Sequence, residues 1–445
     1  MHILKGYTKQ EISWMMYDWA NSAHSVIIVT LLPIFFDTVA GYTADSVSSM
    51  STWGYATSIA MLIVALAAPF LGVFGDIRGM RKKLFSFFML LGVAACAGMA
   101  FTPGMDFTSG PVAAGKVASL ILVLYIVSVI GFDASAIYYD AFLTDVTIED
   151  RMDKVSTMGY GLGYIGGSTI PLLIFLIMNL VGVPMLTCLA FVFGLTAVWW
   201  LAFSLPLLKN CEQTSGKPYE KGDVARSIKG VGTTIKEIIA NKPMLIYILS
   251  YFFYIDGVHT VISMATTYGT NLGLDSTGMM LALLLVQILG LPFCLLYIKC
   301  SEKFGARTMV GFGICVYMFI CIFAFFMNSL WQFWVLAVLC ATSQGGIQAL
   351  SRSMYGKLIP DKDRSGEFFG FFDIFGKFSS IMGPALVGVV SSVVANGMLG
   401  VQGLTAQTAT AEQIDAINAQ SSHYGILSII IIIIVGAVLY FGFLP

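Results

Sequence analysis

Charge is what this sequence has least of. Asp, Glu, Lys and Arg make up 11% of its 445 residues, against roughly 25% in an ordinary soluble domain. Hydrophobic types fill 57% of the chain, and adding the 45 glycines brings the share to about two-thirds, above the usual ~45–50%. Too little polar surface remains to cover such a core in water, which excludes a soluble enzyme. A disordered chain, poor in apolar residues, is excluded as well. The net charge of −1 supplies no basic field for nucleic acid. The eight cysteines are scattered, with no CxxC and no Cys/His cluster. Neither a disulfide framework, a metal centre nor a cofactor is therefore expected. HExxH, GxSxG and paired acidic metal motifs are also missing, so a membrane-embedded enzyme has no chemistry to work with. No signal-peptide pattern opens the chain, because Asp18 and Asn21 interrupt the first apolar run, and that run is expected to be kept.

What the sequence does have is long apolar runs. Twelve are read, at 12–38, 50–74, 84–102, 116–141, 156–181, 184–207, 243–271, 276–298, 308–327, 330–352, 366–395 and 424–444. Each approaches or exceeds the about 20 residues that cross a bilayer. With both termini cytoplasmic, every one of the 24 basic residues except Lys116 and Lys377 falls on or beside a cytoplasmic segment. That asymmetry fixes the orientation. It also supports the span count, since a mistaken helix would flip the later loops. The expected fold is an all-α membrane protein with twelve transmembrane helices in two pseudo-symmetric six-helix bundles, 1–208 and 243–445. Between them, linker 209–242 repeats Val224, Ile228, Val231, Ile235, Ile238 and Ile239 at helical spacing, the pattern of an amphipathic helix on a membrane surface. Loop 396–423 contains Thr410 and Gln413, a capping box expected to open a short external helix.

The two halves look related. Gly75-Asp76-Ile77-Arg78-Gly79-Met80-Arg81 follows span two, and Ser301-Glu302-Lys303-Phe304-Gly305-Ala306-Arg307 follows span eight. Both read acid-x-x-Gly-x-Arg. A six-plus-six duplication accounts for this and is a known transporter design. Asp76, Gly79, Arg81, Glu302 and Arg307 are accordingly candidate gating residues, with topology-setting charge as their plainer reading.

Ionisable groups inside hydrocarbon are costly and usually face the bundle interior or a wet cavity. Asp18, Asn21, Ser22 and Ser25 share one face of span one, with His24 offset. Asp133 and Asp140 share a face of span four, beside Tyr139. Span seven carries Asp256, His259, Thr260, Ser263 and Thr267, and span ten carries Gln344, Gln348, Ser351 and Arg352. Spans one, four, seven and ten thus hold the polar stripes, and span eleven adds Asp373 and Lys377. The candidate solute-binding residues are Asn21, His24, Asp133, Tyr139, Asp256, His259, Gln344, Gln348 and Lys377. Asp256 and His259, an acid and an imidazole near the midplane, are the candidate proton-coupling pair. Plainer readings accompany several of them: His24 as a packing residue, Asp18 and Asp140 as helix-end groups, and Arg352 as a snorkelling side chain. Gly159, Gly163 and Gly167 read as a close-packing stripe.

At these residues a family becomes recognisable. Gly72-x3-Asp76-x2-Gly79-x-Arg81-Lys82 resembles the loop 2–3 signature of the major facilitator superfamily. Tyr17-Asp18-Trp19-Ala20-Asn21-Ser22-Ala23, Leu162-Gly163-Tyr164-Ile165-Gly166-Gly167, Asp256-Gly257-Val258 and Gly345-Gly346-Ile347-Gln348-Ala349-Leu350-Ser351-Arg352-Ser353, with Phe368-Phe369-Gly370-Phe371, together look like the vacuole-effluxer family. That family comprises the autophagy-related amino-acid exporters of fungal vacuoles and their bacterial relatives. The resemblance implies the superfamily fold, with helices one, four, seven and ten lining a central cavity, and export of neutral amino acids by the fungal members. His24 stands where an aromatic is usual, His259 where Gln is usual, and Leu143-Thr144-Asp145 replaces Leu-Pro-acid. The expected function is secondary active transport of a small polar solute by alternating access, proton-coupled, in a bacterial inner membrane. A monomer is expected, with the solute and the lipid bilayer as its only partners. A lipid flippase on the same fold and a non-transporting solute sensor are the alternatives.

Overall fold

The computed structural model describes the chain apart from residues 1–3, 44–48, 219–222, 405–407 and 444–445. In hydrocarbon every backbone N–H and C=O must be satisfied within the segment, so apolar runs of this length become helices. Fourteen α-helices are described: α1 Lys9–Ala40, α2 Ser49–Gly75, α3 Arg81–Met99, α4 Pro111–Val146, α5 Glu149–Gly163, α6 Ile170–Leu180, α7 Met185–Asn210, α8 Asp223–Ala240, α9 Lys242–Asn271, α10 Ser276–Phe304, α11 Ala306–Phe325, α12 Leu330–Leu358, α13 Ser365–Val401 and α14 Ala411–Phe443. Joining α5 and α6 through a π-helical turn, Tyr164–Thr169, gives twelve spans long and apolar enough to cross a membrane. The protein is a multi-pass, all-α membrane protein. The linker helix α8 is additional to the spans.

The starts of the helices follow their capping residues. Thr8 accepts the Glu11 N–H while Glu11 reaches back to the Thr8 N–H, a reciprocal cap on α1. Asn241 caps α9 and Asp275 caps α10 through side-chain oxygens. Thr410 and Gln413 do form the expected capping box. The helix it opens, however, is α14 itself, and α13 already extends to Val401. The short separate external helix is therefore absent among the described residues, because the two spans project beyond their apolar cores.

Two compact units are present: residues 1–234 with 356–374, and residues 235–355 with 375–445. In the first, α1 packs on α4, α5 and α7, and α3 packs on α4 and α7. The glycine stripe of the fifth span lies directly on α1. A Cβ at Gly159 would sit 2.3 Å from Asp18 Oδ2, and one at Gly166 would sit 2.0 Å from the Trp19 ring. The π turn falls at this contact. Its extra residue per turn swings Gly166 and Gly167 together against α1. In the second unit α9 packs along α14, and α11 packs on α14. The aromatic opening of α13, Phe368, Phe369, Phe371 and Phe372, is packing surface, each ring being buried.

Candidate functional site

The loop between α2 and α3 builds a dense, buried polar cluster. Gly79 takes φ +80°, a left-handed turn that a side chain would strain, and this turns Arg81 back toward Asp76. Arg81 is fully buried. Its Nη2 donates to Asp76 Oδ1 and to the Ser365 hydroxyl, both at 2.9 Å. Its Nη1 donates to Asp145 Oδ2 and, at 3.2 Å, to the Ala141 carbonyl. Asp76 Oδ1 also accepts the Gly366 N–H at 2.7 Å, and Oδ2 accepts the Glu367 N–H at 2.8 Å. These amides open α13, so the carboxylate meets the positive end of a helix. Burial pushes the Asp76 carboxyl up to about 7, while Arg81 and the amides of Glu367 and Gly366 pull it back toward the ionised form. Loss of any one donor would favour the neutral acid, which cannot accept all these bonds.

Close approach of the backbones makes the contact possible. A Cβ on Gly72 would lie 2.2 Å from the Gly366 carbonyl oxygen, and one on Gly370 would lie 2.5 Å from that of Ala68. The first unit holds three further ion pairs: Arg151 with Glu11, Lys357 with Asp153, and Lys362 with Glu149. Asp145 is the member that sequence reading did not assign. It lies 64 residues from Arg81, and the only sequence signal was its acid at the exit of the fourth span.

In the mirrored segment Gly305 also takes a positive φ, +83° against +80° at Gly79, but there it alone separates α10 from α11, and Glu302 lies within α10. The Arg307 carbonyl accepts the Tyr440 hydroxyl at 2.9 Å.

Within the first unit the stripes of α1 and α4 meet. Tyr139 donates to Asp18 Oδ2 at 2.7 Å, and its ring stacks on Trp14 with centroids 4.4 Å apart. Asn21 is buried on the same helix and hydrogen-bonds Tyr17. His24 stacks on Phe132 with centroids 4.7 Å apart, lies beside Trp200, and shares a 3.2 Å hydrogen bond with Ser128. Its ring is thus enclosed by the unit's own packing. Asp133 is also buried.

In the second unit the polar groups of α9, α12 and α13 converge. Asp256 is fully buried. Its Oδ1 accepts the Gly383 N–H at 2.9 Å and the Thr260 hydroxyl at 3.2 Å. Its Oδ2 has no hydrogen-bond partner among the described residues. His259 hydrogen-bonds the Gln348 side chain and lies within electrostatic reach of Lys377. Gln348 in turn donates to the Gln344 carbonyl at 3.1 Å. The Gly383 contact escaped sequence reading because a backbone amide leaves no composition signal. Arg352, which the sequence suggested would snorkel, is 4% exposed. A cavity of about 420 Å³ opens near the ends of α9, α13 and the start of α14, lined by Thr267, Asn271, Ser391, Asn418 and Ser422 among others. Gln344 lines a smaller, mostly apolar cavity of about 90 Å³. Among the described residues no group of three or more His, Cys, Asp or Glu is placed to hold a metal ion.

Comparison with known proteins sets this geometry in a family. The model described as "Vacuole effluxer Atg22 like" matches residues 7–151 and 144–400. YxiO of Bacillus subtilis, an uncharacterised MFS-type transporter, is 43% identical over 399 residues, covering 88% of this chain and 90% of that one. Autophagy-related protein 22-1 of Penicillium rubens is 25% identical over 274 residues, 56% of this chain but 46% of the longer fungal protein. Among solved structures, the proton:xylose symporter XylE superposes with a TM-score of 0.71 at 13% identity, covering 98% of this chain and 95% of that one. The human organic anion transporter MFSD10 gives 0.65 at 12% identity, covering 97% of this chain and 99% of that one. These two similarities show the major facilitator fold.

Proposed function

The chain belongs to the vacuole effluxer Atg22-like family of MFS-type transporters, and on that premise we propose that it carries a small polar solute, first of all a neutral amino acid, by proton-coupled alternating access. The observation that carries the coupling step is Asp256. One carboxylate oxygen is held by the Gly383 amide and the Thr260 hydroxyl, and the other has no partner among the described residues. A proton and a solute ammonium group compete for that second oxygen. Mutually exclusive occupancy couples the two movements as exchange, with solute leaving as the proton enters. Gln344 and Gln348 offer hydrogen bonds to the solute, and Lys377 offers a charge for its carboxylate. His259, held by Gln348, orients that amide. Asp76, Arg81 and Asp145 close the basic side, with Glu302 and Arg307 as their counterparts. The skew of basic residues supports placing that side and both termini in the cytoplasm of a bacterial inner membrane.

Reconstitution tests the proposal. Vesicles with an acidic interior should accumulate neutral amino acids against their gradient. Asp256→Asn should abolish accumulation while leaving downhill equilibration. Accumulation that survives this substitution would remove Asp256 from the coupling step. A carrier of lipids instead would move none of the amino acids.

A further inference from the structure

The residues that follow α7 do more than connect two units; what they do is argued on the carrier reading above. Gln213 lies on the loop between α2 and α3. Its side-chain oxygen accepts the Gly79 N–H at 2.9 Å and the Arg81 N–H at 3.3 Å, and its Nε2 donates to the Gly75 carbonyl at 2.9 Å. The backbone amides and hydroxyls of Thr214 and Ser215 all donate to Asp145 Oδ1, at 2.7–3.1 Å. The Ser215 oxygen also accepts from Arg81 Nη1 at 3.1 Å. Lys217 then pairs with the loop as a strand would. Its N–H donates to the Asp76 carbonyl at 3.0 Å, and the Arg78 N–H donates to its carbonyl at 2.9 Å. Gly216, at φ +111°, makes that closeness possible, because a Cβ there would lie 2.6 Å from the Asp76 carbonyl oxygen. The Gly216 N–H reaches Asp363 Oδ1 at 2.8 Å.

Five consecutive residues therefore spend their polar groups on the gating loop and its neighbours. A passive connector would leave them to water. The far end of the same linker is fixed as well, since Thr234 of α8 hydrogen-bonds both Glu367 and Arg364 at the start of α13. Asp145 is the pivot. One oxygen holds Arg81 and the other holds the linker, so neither can be displaced without exposing a buried carboxylate. The Asp76 loop is likewise bound on its backbone by Lys217 and on its carboxylate by α13.

We propose that Gln213–Lys217 is a strap of positioning residues for the inner gate: it fixes Arg81 and the Asp76 loop in the closed arrangement and must lift from that loop before the Asp76–α13 contact can open.

Hydrogen–deuterium exchange of the full chain in lipid nanodiscs tests this without any transported solute, so a failed transport assay would leave the result standing. The reporters are the Gly366 and Glu367 amides, which donate to Asp76 and are not themselves strap residues. In Gln213→Ala/Ser215→Ala these amides should exchange at least tenfold faster, with the middle of α4 unchanged as a fold control. Faster exchange confined to 213–217 would overturn the proposal. As a second measurement, Ile77→Cys/Lys217→Cys places thiols on the bridged pair, about 4.8 Å apart at Cα, within disulfide range. Oxidation should slow exchange at Gly366 and Glu367 below wild type, and reductant should restore it. An oxidised pair that leaves those amides unchanged would also overturn the proposal.

Discussion

Gly72→Ala should wedge the gate open. The added methyl would meet the Gly366 carbonyl oxygen at 2.2 Å and its carbon at 2.8 Å. Both are backbone atoms, so no flexible side chain can yield. Restoring an ordinary contact of about 3.4 Å requires the start of α13 to retreat by about 1.2 Å, given the interdigitated packing of helix contacts. Asp76 now accepts the Gly366 and Glu367 amides at 2.7 and 2.8 Å. A retreat along those bonds stretches them to nearly 4 Å, beyond hydrogen-bond range. A bond to a charged group contributes about 1.5–3 kcal/mol, so losing one shifts the closed-to-open ratio by roughly 10- to 150-fold. The assay is amide exchange at Gly366 and Glu367 in nanodiscs. Gly54→Ala, on the same helix, is the control, since its Cβ would meet nothing within 4 Å. Equal protection in the two variants would refute the argument that backbone contact at Gly72 holds the gate.

Other expectations follow the same geometry. Arg81→Gln leaves two buried carboxylates, Asp76 and Asp145, without their cation and should cost about 3–5 kcal/mol of stability; combining it with Asp145→Asn should cost less than the two single changes together, measured by denaturation in detergent. Gly166→Ala drives a methyl into the Trp19 ring and should destabilise by about 1–3 kcal/mol, with Trp19→Leu restoring most of the loss in the double variant. His24→Phe keeps the stack on Phe132 and loses only the Ser128 bond, so the KM for amino-acid uptake should stay within twofold; a tenfold rise would place His24 in contact with solute.

The spans were legible because bilayer thickness imposes a length on every apolar run. Asp76, Gly79 and Arg81 were legible because their spacing is local, six residues forming one turn. Asp145 was not, because its relation to Arg81 depends on how α3 packs against α4. The strap was hidden for a related reason: Gln213, Thr214, Ser215 and Gly216 look like ordinary loop composition, and their role comes from what they lie on. Asp256 and His259, three apart on one helix, looked like a pair. The Gly383 amide of α13 and the Gln348 side chain of α12, which join Thr260 of their own helix as partners, could not be read from one helix's spacing. The π turn at Tyr164–Thr169 coincides with Gly166 and Gly167 meeting Trp19, a contact between helices that periodicity cannot register.

Proton movement provoked by solute tests the coupling claim most directly. Neutral amino acid added outside weakly buffered proteoliposomes should acidify the external medium as solute enters and protons leave through Asp256. Thr260→Val should keep this signal at reduced rate, and Asp256→Asn should abolish it. An acidification of equal size in Asp256→Asn, or alkalinisation in the wild-type protein, would contradict exchange at that carboxylate.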